Sequence, residues 1–382
     1  MSRYLDGINR YRHGGLTCVE AGELLGISER HFRRLRDRYE AEGAEGLIDR
    51  RRGRQSGRRA AVDRIEFVVE QYRTRYFDFT VKHFHEALCA EHGFKLGYTW
   101  TKTVLQQRGL VQVSSKRSAH RKKRVRRPLP GMMLFQDGSR HAWLAGQPQL
   151  DLIVTLDDAT SEIYSMVLVE EEGTQSSFLG LHETMAKKGL FCSLYTDRGG
   201  HYFMTLKGQT KVDRSHLTQV GRALFELKIE HIASYSPEGR GRMERVFGTL
   251  QSRLPPLLRL KGITTIEAAN AYLKDIYIAE HNARFAVAAA EEGSAFVPFI
   301  GELGDVLCIK QERVVTNDNC VRYGGLILQI PEQRHRRHFV KARVAVHHYP
   351  DGTITIFHGP RALARYSSEG HLLTDQPERL AA

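Results

Sequence analysis

The sequence predicts a multidomain α+β protein: helix-turn-helix units come first, a mixed α/β core follows, and a small β-barrel closes the chain. Three observations carry that expectation. At 382 residues the chain exceeds a single hydrophobic core and calls for about two to four domains. Its apolar periodicity changes from helical to strand-like at Gly131 and is strand-like again after Pro298. Its charge is one-sided: residues 1–130 hold 29 Lys and Arg against 15 Asp and Glu, leaving 28 against 29 for residues 131–382. The whole excess of +13 is therefore N-terminal, the usual footprint of a polyanion partner such as nucleic acid.

Residues 1–50 read as a helix-turn-helix domain. Thr17 can cap a first helix with Glu20 completing a capping box, and Ala21, Leu24 and Leu25 form its apolar face. Gly26 permits a tight turn. Ser28 caps a second helix, in which Phe32 and Leu35 face inward while Arg30, His31, Arg33, Arg34 and Arg36 point out. That second helix holds the position that enters a major groove, so these five residues are expected DNA contacts.

Residues 51–60 continue a basic linker that includes Arg50, Arg51, Arg52 and Arg54, an arm able to lie along phosphates or reach into a minor groove. Residues 61–113 form a second helical unit, read as a helix-turn-helix or winged-helix domain. Its helices carry Ile65, Val68, Val69 and Tyr72, then Phe84, Leu88 and Cys89, then Trp100 to Leu105. A second basic linker, residues 114–130, contains Lys122, Lys123 and Arg124 and ends at Pro128 and Pro130.

The core spans residues 131–298. Met132–Asp137, Leu150–Leu156 and Ile163–Val169 are predicted as an antiparallel meander, with Asp157 and Asp158 as turn formers and Glu170-Glu171-Glu172 as a solvated strand exit. Helix and strand then alternate: a helix over 175–188, a strand over 191–197, a helix over 217–227 and a strand over 229–233. Helices over 240–254 and 265–285 complete the core. Three strands followed by this alternation is the order of a ribonuclease H-like fold. Residues 299–382 return to strands, joined at Pro350-Asp351-Gly352 by a hairpin, and are expected to form the small barrel and a tail.

Five scattered cysteines without a C-x-x-C pair argue against a disulfide framework or a zinc ribbon. No apolar run approaches the roughly 20 residues of a membrane span, and no secretory signal opens the sequence, so a cytoplasmic protein with no membrane partner is expected.

Asp137 and Asp197 each end an apolar run and precede small residues, in Phe135-Gln136-Asp137-Gly138-Ser139 and Tyr195-Thr196-Asp197-Arg198-Gly199. Each carboxylate is thus delivered from a buried strand to an open edge. Glu244 lies on a helix with the core stripe Met243, Val246, Phe247 and Leu250. Three converging carboxylates repel one another, and a divalent cation removes that cost. Oxygen-only ligands point to Mg²⁺ or Mn²⁺, and two such ions serve an in-line phosphoryl transfer.

With Tyr235-Ser236-Pro237-Glu238-Gly239-Arg240-Gly241-Arg242-Met243-Glu244-Arg245 added, these motifs resemble the DDE transposases of bacterial insertion sequences. The likeness is nearest to the ISNCY-like group, which is related to retroviral integrases, and it covers nearly the whole chain. It implies that Asp137, Asp197 and Glu244 are the catalytic residues and hold two Mg²⁺ or Mn²⁺ ions, with Arg240, Arg242 and Arg245 near the DNA phosphate. It also implies an enzyme that binds the terminal inverted repeats of its element, nicks the ends and joins the 3′-hydroxyls to target DNA as at least a dimer. One departure is the 46 residues between Asp197 and Glu244, more than in the best-known members, which leaves Glu238 as a rival third ligand. A catalytically silent DNA-binding regulator and a non-transposing nuclease of the same fold stand as alternatives.

Overall fold

The computed structural model describes residues 2–49, 60–113, 124–205, 211–235, 237–333 and 336–373, without the side chains of Ser2, Pro237 and Glu238. By compactness the chain divides into residues 1–68 and 69–382.

The first unit contains α1 (Ser2–Arg12), α2 (Cys18–Leu25), α3 (Glu29–Glu42) and a 3-10 turn (Gly43–Leu47). The capping box is formed: Glu20 N donates to Thr17 Oγ1 at 3.3 Å and Thr17 N donates to Glu20 Oε2 at 2.7 Å. Gly26 turns the chain at φ 71°, and Ser28 Oγ accepts from His31 N. Ahead of the two expected helices stands α1, whose Leu5, Ile8 and Tyr11 recur at helical spacing. It is held by Ile8, packed with Ala21 and Phe32, and by Tyr11, edge-on to Phe32 at 5.6 Å.

α4 (Val62–Thr74) runs across the division between the two units, and α5 (Val81–His92) and α6 (Tyr98–Gln107) follow in the second unit. Tyr72, Tyr76, Phe79 and Phe84 form an aromatic cluster between them. Glu86 on α5 receives two arginines of the core, Arg253 at 2.7 Å and Arg284 at 2.8 Å, and Asp78 receives Arg259 at 2.7 Å.

The core is a five-stranded mixed sheet of β1 (Leu134–His141), β2 (Leu150–Asp157), β3 (Ile163–Val169), β4 (Ser193–Thr196) and β5 (Glu230–Ala233), in the order β3-β2-β1-β4-β5. β1 to β3 run antiparallel, and β4 and β5 run parallel to β1. α7 (Thr174–Lys188) and α8 (Gln219–Glu226) cover one face with Phe178, Leu181, Val220 and Leu224. The other face is covered by α9 (Gly241–Leu260), α10 (Ile266–Tyr272), a π-helical turn (Leu273–Tyr277) and α11 (Ile278–Phe285).

The predicted stop of α9 at Leu254 is overturned, because the helix runs through Pro255 and Pro256 to Leu260. Each interior proline costs about 3 kcal/mol. Burial of Leu254, Pro256 and Leu258 against the sheet offsets it. In the extra length before Glu244, Met204 bridges Asp213 and α8 follows, capped by Thr218; residues 206–210 lie outside the described residues.

The open edge of β3 is closed by two asparagines. Asn270 Oδ1 accepts from Leu168 N at 2.7 Å while its Nδ2 donates to Leu168 O at 2.9 Å. Asn282 makes the same pair of bonds to Ile163, at 2.8 and 2.9 Å.

After α12 (Leu303–Val306) come β6 (Ile309–Val314), β7 (Cys320–Tyr323), β8 (Leu326–Gln329), β9 (Arg343–His348), β10 (Ile354–His358), β11 (Arg361–Tyr366) and β12 (Leu372–Leu373). The expected small barrel is not what forms among the described residues. β12-β11-β10-β9-β6 make an open antiparallel sheet, and β7–β8 make a separate hairpin laid over it through Val321, Tyr323 and Leu328. Closure needs hydrogen bonds between the edge strands β12 and β6, and among the described residues none pairs them. The stretch 324–330, read as one strand, opens with the Gly324-Gly325 turn, both residues at positive φ.

Candidate active site

Side-chain alternation along β1 sends Leu134 and Gln136 toward α7 and α8 and sends Phe135 and Asp137 toward α9. Tyr195 and Asp197 share the second parity on β4. The ladder pairs Leu134 with Leu194 and Phe135 with Tyr195. β4 ends at Thr196 and Asp197 follows it, close enough that its charge acts on the Asp137 carboxyl.

The wall behind Asp137 is rigid. Gln136 is fully buried and donates to Thr155 Oγ1 at 3.2 Å and Ser177 O at 3.1 Å, while its Oε1 accepts from Tyr202 Oη at 3.1 Å. A buried network with every partner in place fixes its members strongly. Asp197 is held by Gly199 N, which donates to its Oδ1 at 2.8 Å.

Burial pushes the Asp137 carboxyl up to about 6 against the pull of the Arg240 guanidinium, and the charges of Glu172 and Asp197 raise it further. Arg240 Nη2 donates directly to Asp137 Oδ2. Although burial disfavours its charge, Asp137, Asp197 and Glu172 together hold Arg240 above its ordinary range.

Glu172 corrects the reading of residues 170–172 as a solvated strand exit. Its carboxylate lies over Gly138, where any Cβ would collide with it, so the small residue after Asp137 is what admits it. Glu172 Oε1 and His201 Nε2 stand 3.5 Å apart, outside hydrogen-bond geometry, and neither buried atom has a partner among the described residues. No periodic signal marks Glu172; it is placed by the end of β3 meeting the start of α7.

Glu244 lies on the first turn of α9 and is exposed. The structure brings Asp137, Asp197 and Glu172 together, and Glu244 is not part of a preformed cluster. Among the described residues no group of three or more His, Cys, Asp and Glu side chains is arranged to hold a metal ion. The side chain of Glu238 lies outside the described residues.

The arginines expected to face DNA divide sharply. On α3, Arg30, His31, Arg33 and Arg34 are exposed, with Arg33 paired to Glu29 in the next turn. Arg36 is turned back, donating to Asp37 and to Tyr11 Oη at 3.1 Å. At α9, Arg245 is exposed, Arg240 is committed to Asp137, and Arg242 donates to Asp158. Arg124 also donates to Asp158, whereas Arg50, Arg51, Arg52, Arg54, Lys122 and Lys123 lie outside the described residues. Asp157 and Asp158 do occupy a turn, yet both are fully buried, so turn chemistry alone does not explain them.

The first strand does not end at Asp137 as expected but runs on to His141, so Asp137 lies within β1 and Asp197 just past β4. These neighbouring carboxylates on a mixed sheet, in a chain that opens with a helix-turn-helix, define an enzyme core joined to a nucleic-acid-reading module. Residues 8–55 match a helix-turn-helix domain family. The chain is 30% identical over 357 residues to y4bF of Sinorhizobium fredii, a transposase by name, covering 92% of this chain and 77% of that protein. It is 27% identical over 367 residues to the transposase for insertion sequence IS1202 of Streptococcus pneumoniae, covering 86% of this chain and 77% of that one. The chain belongs to the transposase family.

Among solved structures it is similar to an intasome of simian T-cell lymphotropic virus in complex with the PP2A regulatory subunit B56γ. That likeness has a TM-score of 0.35 and 14% identity over 77% of this chain and 93% of that one. At that distance it carries no argument about the site. Among the described residues no helix is long and apolar enough to cross a membrane.

Proposed function

We propose that this transposase is of the DDE type: it binds the terminal inverted repeats of its insertion sequence, nicks the ends and joins the 3′-hydroxyls to target DNA. The observation that supports the reading is the closeness of Asp137 and Asp197, carried by the neighbouring strands β1 and β4, with Arg240 from the start of α9 on Asp137. The donor set fits divalent cations. It is oxygen-only, burial and after it the charges of Glu172 and Asp197 raise the Asp137 carboxyl, and Glu172 Oε1 is a buried acceptor with no hydrogen bond, 3.5 Å from His201 Nε2.

Asp137, Asp197 and Glu244 would hold two Mg²⁺ or Mn²⁺ ions, with Glu172 beside them. Such ions supply a lowered pKa for an attacking water or hydroxyl and charge stabilisation for the leaving oxygen. Arg240 neutralises Asp137 in the structure. When that carboxylate is committed elsewhere, the guanidinium becomes available to a phosphate oxygen, with Arg242 and Arg245 on the same helix start. α3 is assigned to base edges in the major groove through Arg30, His31, Arg33 and Arg34, and the basic linkers to phosphates. Paired cuts at two ends call for at least a dimer on DNA. The working domain division remains 1–50, 61–113, 131–298 and 299–382, with basic linkers at 51–60 and 114–130.

The test is incubation of the full chain with labelled DNA carrying the terminal repeat in Mg²⁺, beside Asp197→Asn. Metal-dependent nicking and joining by the parent alone are expected. Specific binding without either reaction would instead identify a silent DNA-binding regulator.

A further inference from the structure

Asp158 sits at the β2–β3 turn with a fully buried carboxylate and three donors. Arg124 Nη2 and Arg242 Nη1 both donate to its Oδ1, and Arg127 N donates to its Oδ2 at 2.8 Å. Arg126 adds bonds to Asp158 O at 2.9 Å, Ala159 O at 3.1 Å and Ser161 Oγ at 2.8 Å. Arg242 Nη2 in turn donates to Arg124 O at 2.7 Å. One carboxylate thus joins the last residues of the second basic linker to the first turn of α9.

Met243 packs that turn into the core, and the rest of its anchoring is polar. α9 begins with Arg240 in the N-cap position and no side-chain cap bond, so its first orphan amides give no fixed anchor. Its position is set by Arg240 on Asp137 and Arg242 on Asp158, and Glu244 follows Arg242 by two residues. Two guanidinium groups on one carboxylate, with Arg126 on the adjoining carbonyls, leave a net positive charge. Removing that carboxylate would turn mutual attraction into repulsion between Arg124 and Arg242.

We propose that Asp158 is a positioning residue: it locks the first turn of α9, with Glu244 and Arg240, to the seat of the linker, so the active site is set only when the linker is in place. The catalytic consequence rests on the DDE reading above; the structural one does not.

The experiment uses the full chain as Asp158→Asn, Arg242→Gln and the double variant, followed by amide hydrogen exchange and by nicking of terminal-repeat DNA in Mg²⁺. Exchange at residues 241–247 and 124–127 should rise by about tenfold or more while β1, β2 and α7 stay protected. The kcat for nicking should fall by about 10²-fold with KM changed by less than about threefold, the mark of misplacement and not of lost binding. The double variant should be no worse than the poorer single one.

Unchanged exchange at α9, additive effects in the double variant, or a rise spread evenly over the sheet with a lowered melting temperature would each overturn the proposal. If the parent itself does not nick, the DDE reading fails, and the exchange pattern still decides whether Asp158 holds the helix.

Discussion

The α3 arginines and the α9 arginines look alike in the sequence and differ in the fold. Arg30 and Arg34 stand in solvent, and among the described residues no ion pair holds either. Arg240 and Arg242 are largely buried and already spend their charge on Asp137 and Asp158. Charge count says that a polyanion is expected; burial and pairing say which cations are free to meet it. Free arginines can supply affinity at once, whereas committed ones act only after their carboxylates are engaged or released.

The comparison is sharpest where chemistry and binding can be separated. Asp197→Asn should lower nicking and joining by more than about 10³-fold while leaving terminal-repeat binding intact, read by product gels beside a binding titration. Loss of binding together with activity would undo the division of labour.

Arg34→Ala on α3 should weaken repeat binding by about ten- to 100-fold and reduce the salt slope if it meets phosphate, with thermal stability unchanged. An equal loss on random DNA would assign it to the backbone and not to base reading.

Buried histidines give a pH test of the region behind α9. Burial holds His83 and His281 down to about 4 from 6.5, helped by Arg253 beside both and Arg284 near each. Because their folded values lie below the unfolded value, their contribution is complete above about pH 6.5 and is lost as pH falls toward 4. It is worth on the order of 3 kcal/mol at most for each histidine. Melting temperatures across that window should fall, and His83→Leu should flatten the slope.

The smallest effect belongs to Arg36→Ala. Since that guanidinium holds Tyr11 and not a ligand, the variant should lower the stability of the first unit by about 1 kcal/mol with little change in DNA affinity. A large affinity loss at unchanged stability would return Arg36 to the free group.

Much of this was legible in the residues. Capping boxes, strand runs and the change of period located α2, α3, α5 and all five core strands, because those signals are local. The strand runs that carry Asp137 and lead into Asp197 were legible for the same reason, although β1 runs past Asp137 to His141. The continuation of α9 through two prolines was not, since only packing against the sheet stabilises it. Glu172 and Asp158 were misjudged because their meaning depends on distant partners: Gly138 and Asp137 for one, Arg124 and Arg242 for the other. The barrel failed on a feature that strand patterns do not encode, which edges pair: among the described residues β6 and β12 do not.

The asparagines on β3 have a consequence for assembly. An edge strand with free amides and carbonyls invites a neighbour to extend the sheet. Here Asn270 and Asn282 occupy the outward groups of Leu168 and Ile163 with both ends of their own amides. Growth by strand addition is blocked on that side of the core. Two copies meeting there on a pair of DNA ends would have to join through side chains of α10 and α11, an interface that can separate again once the DNA is released.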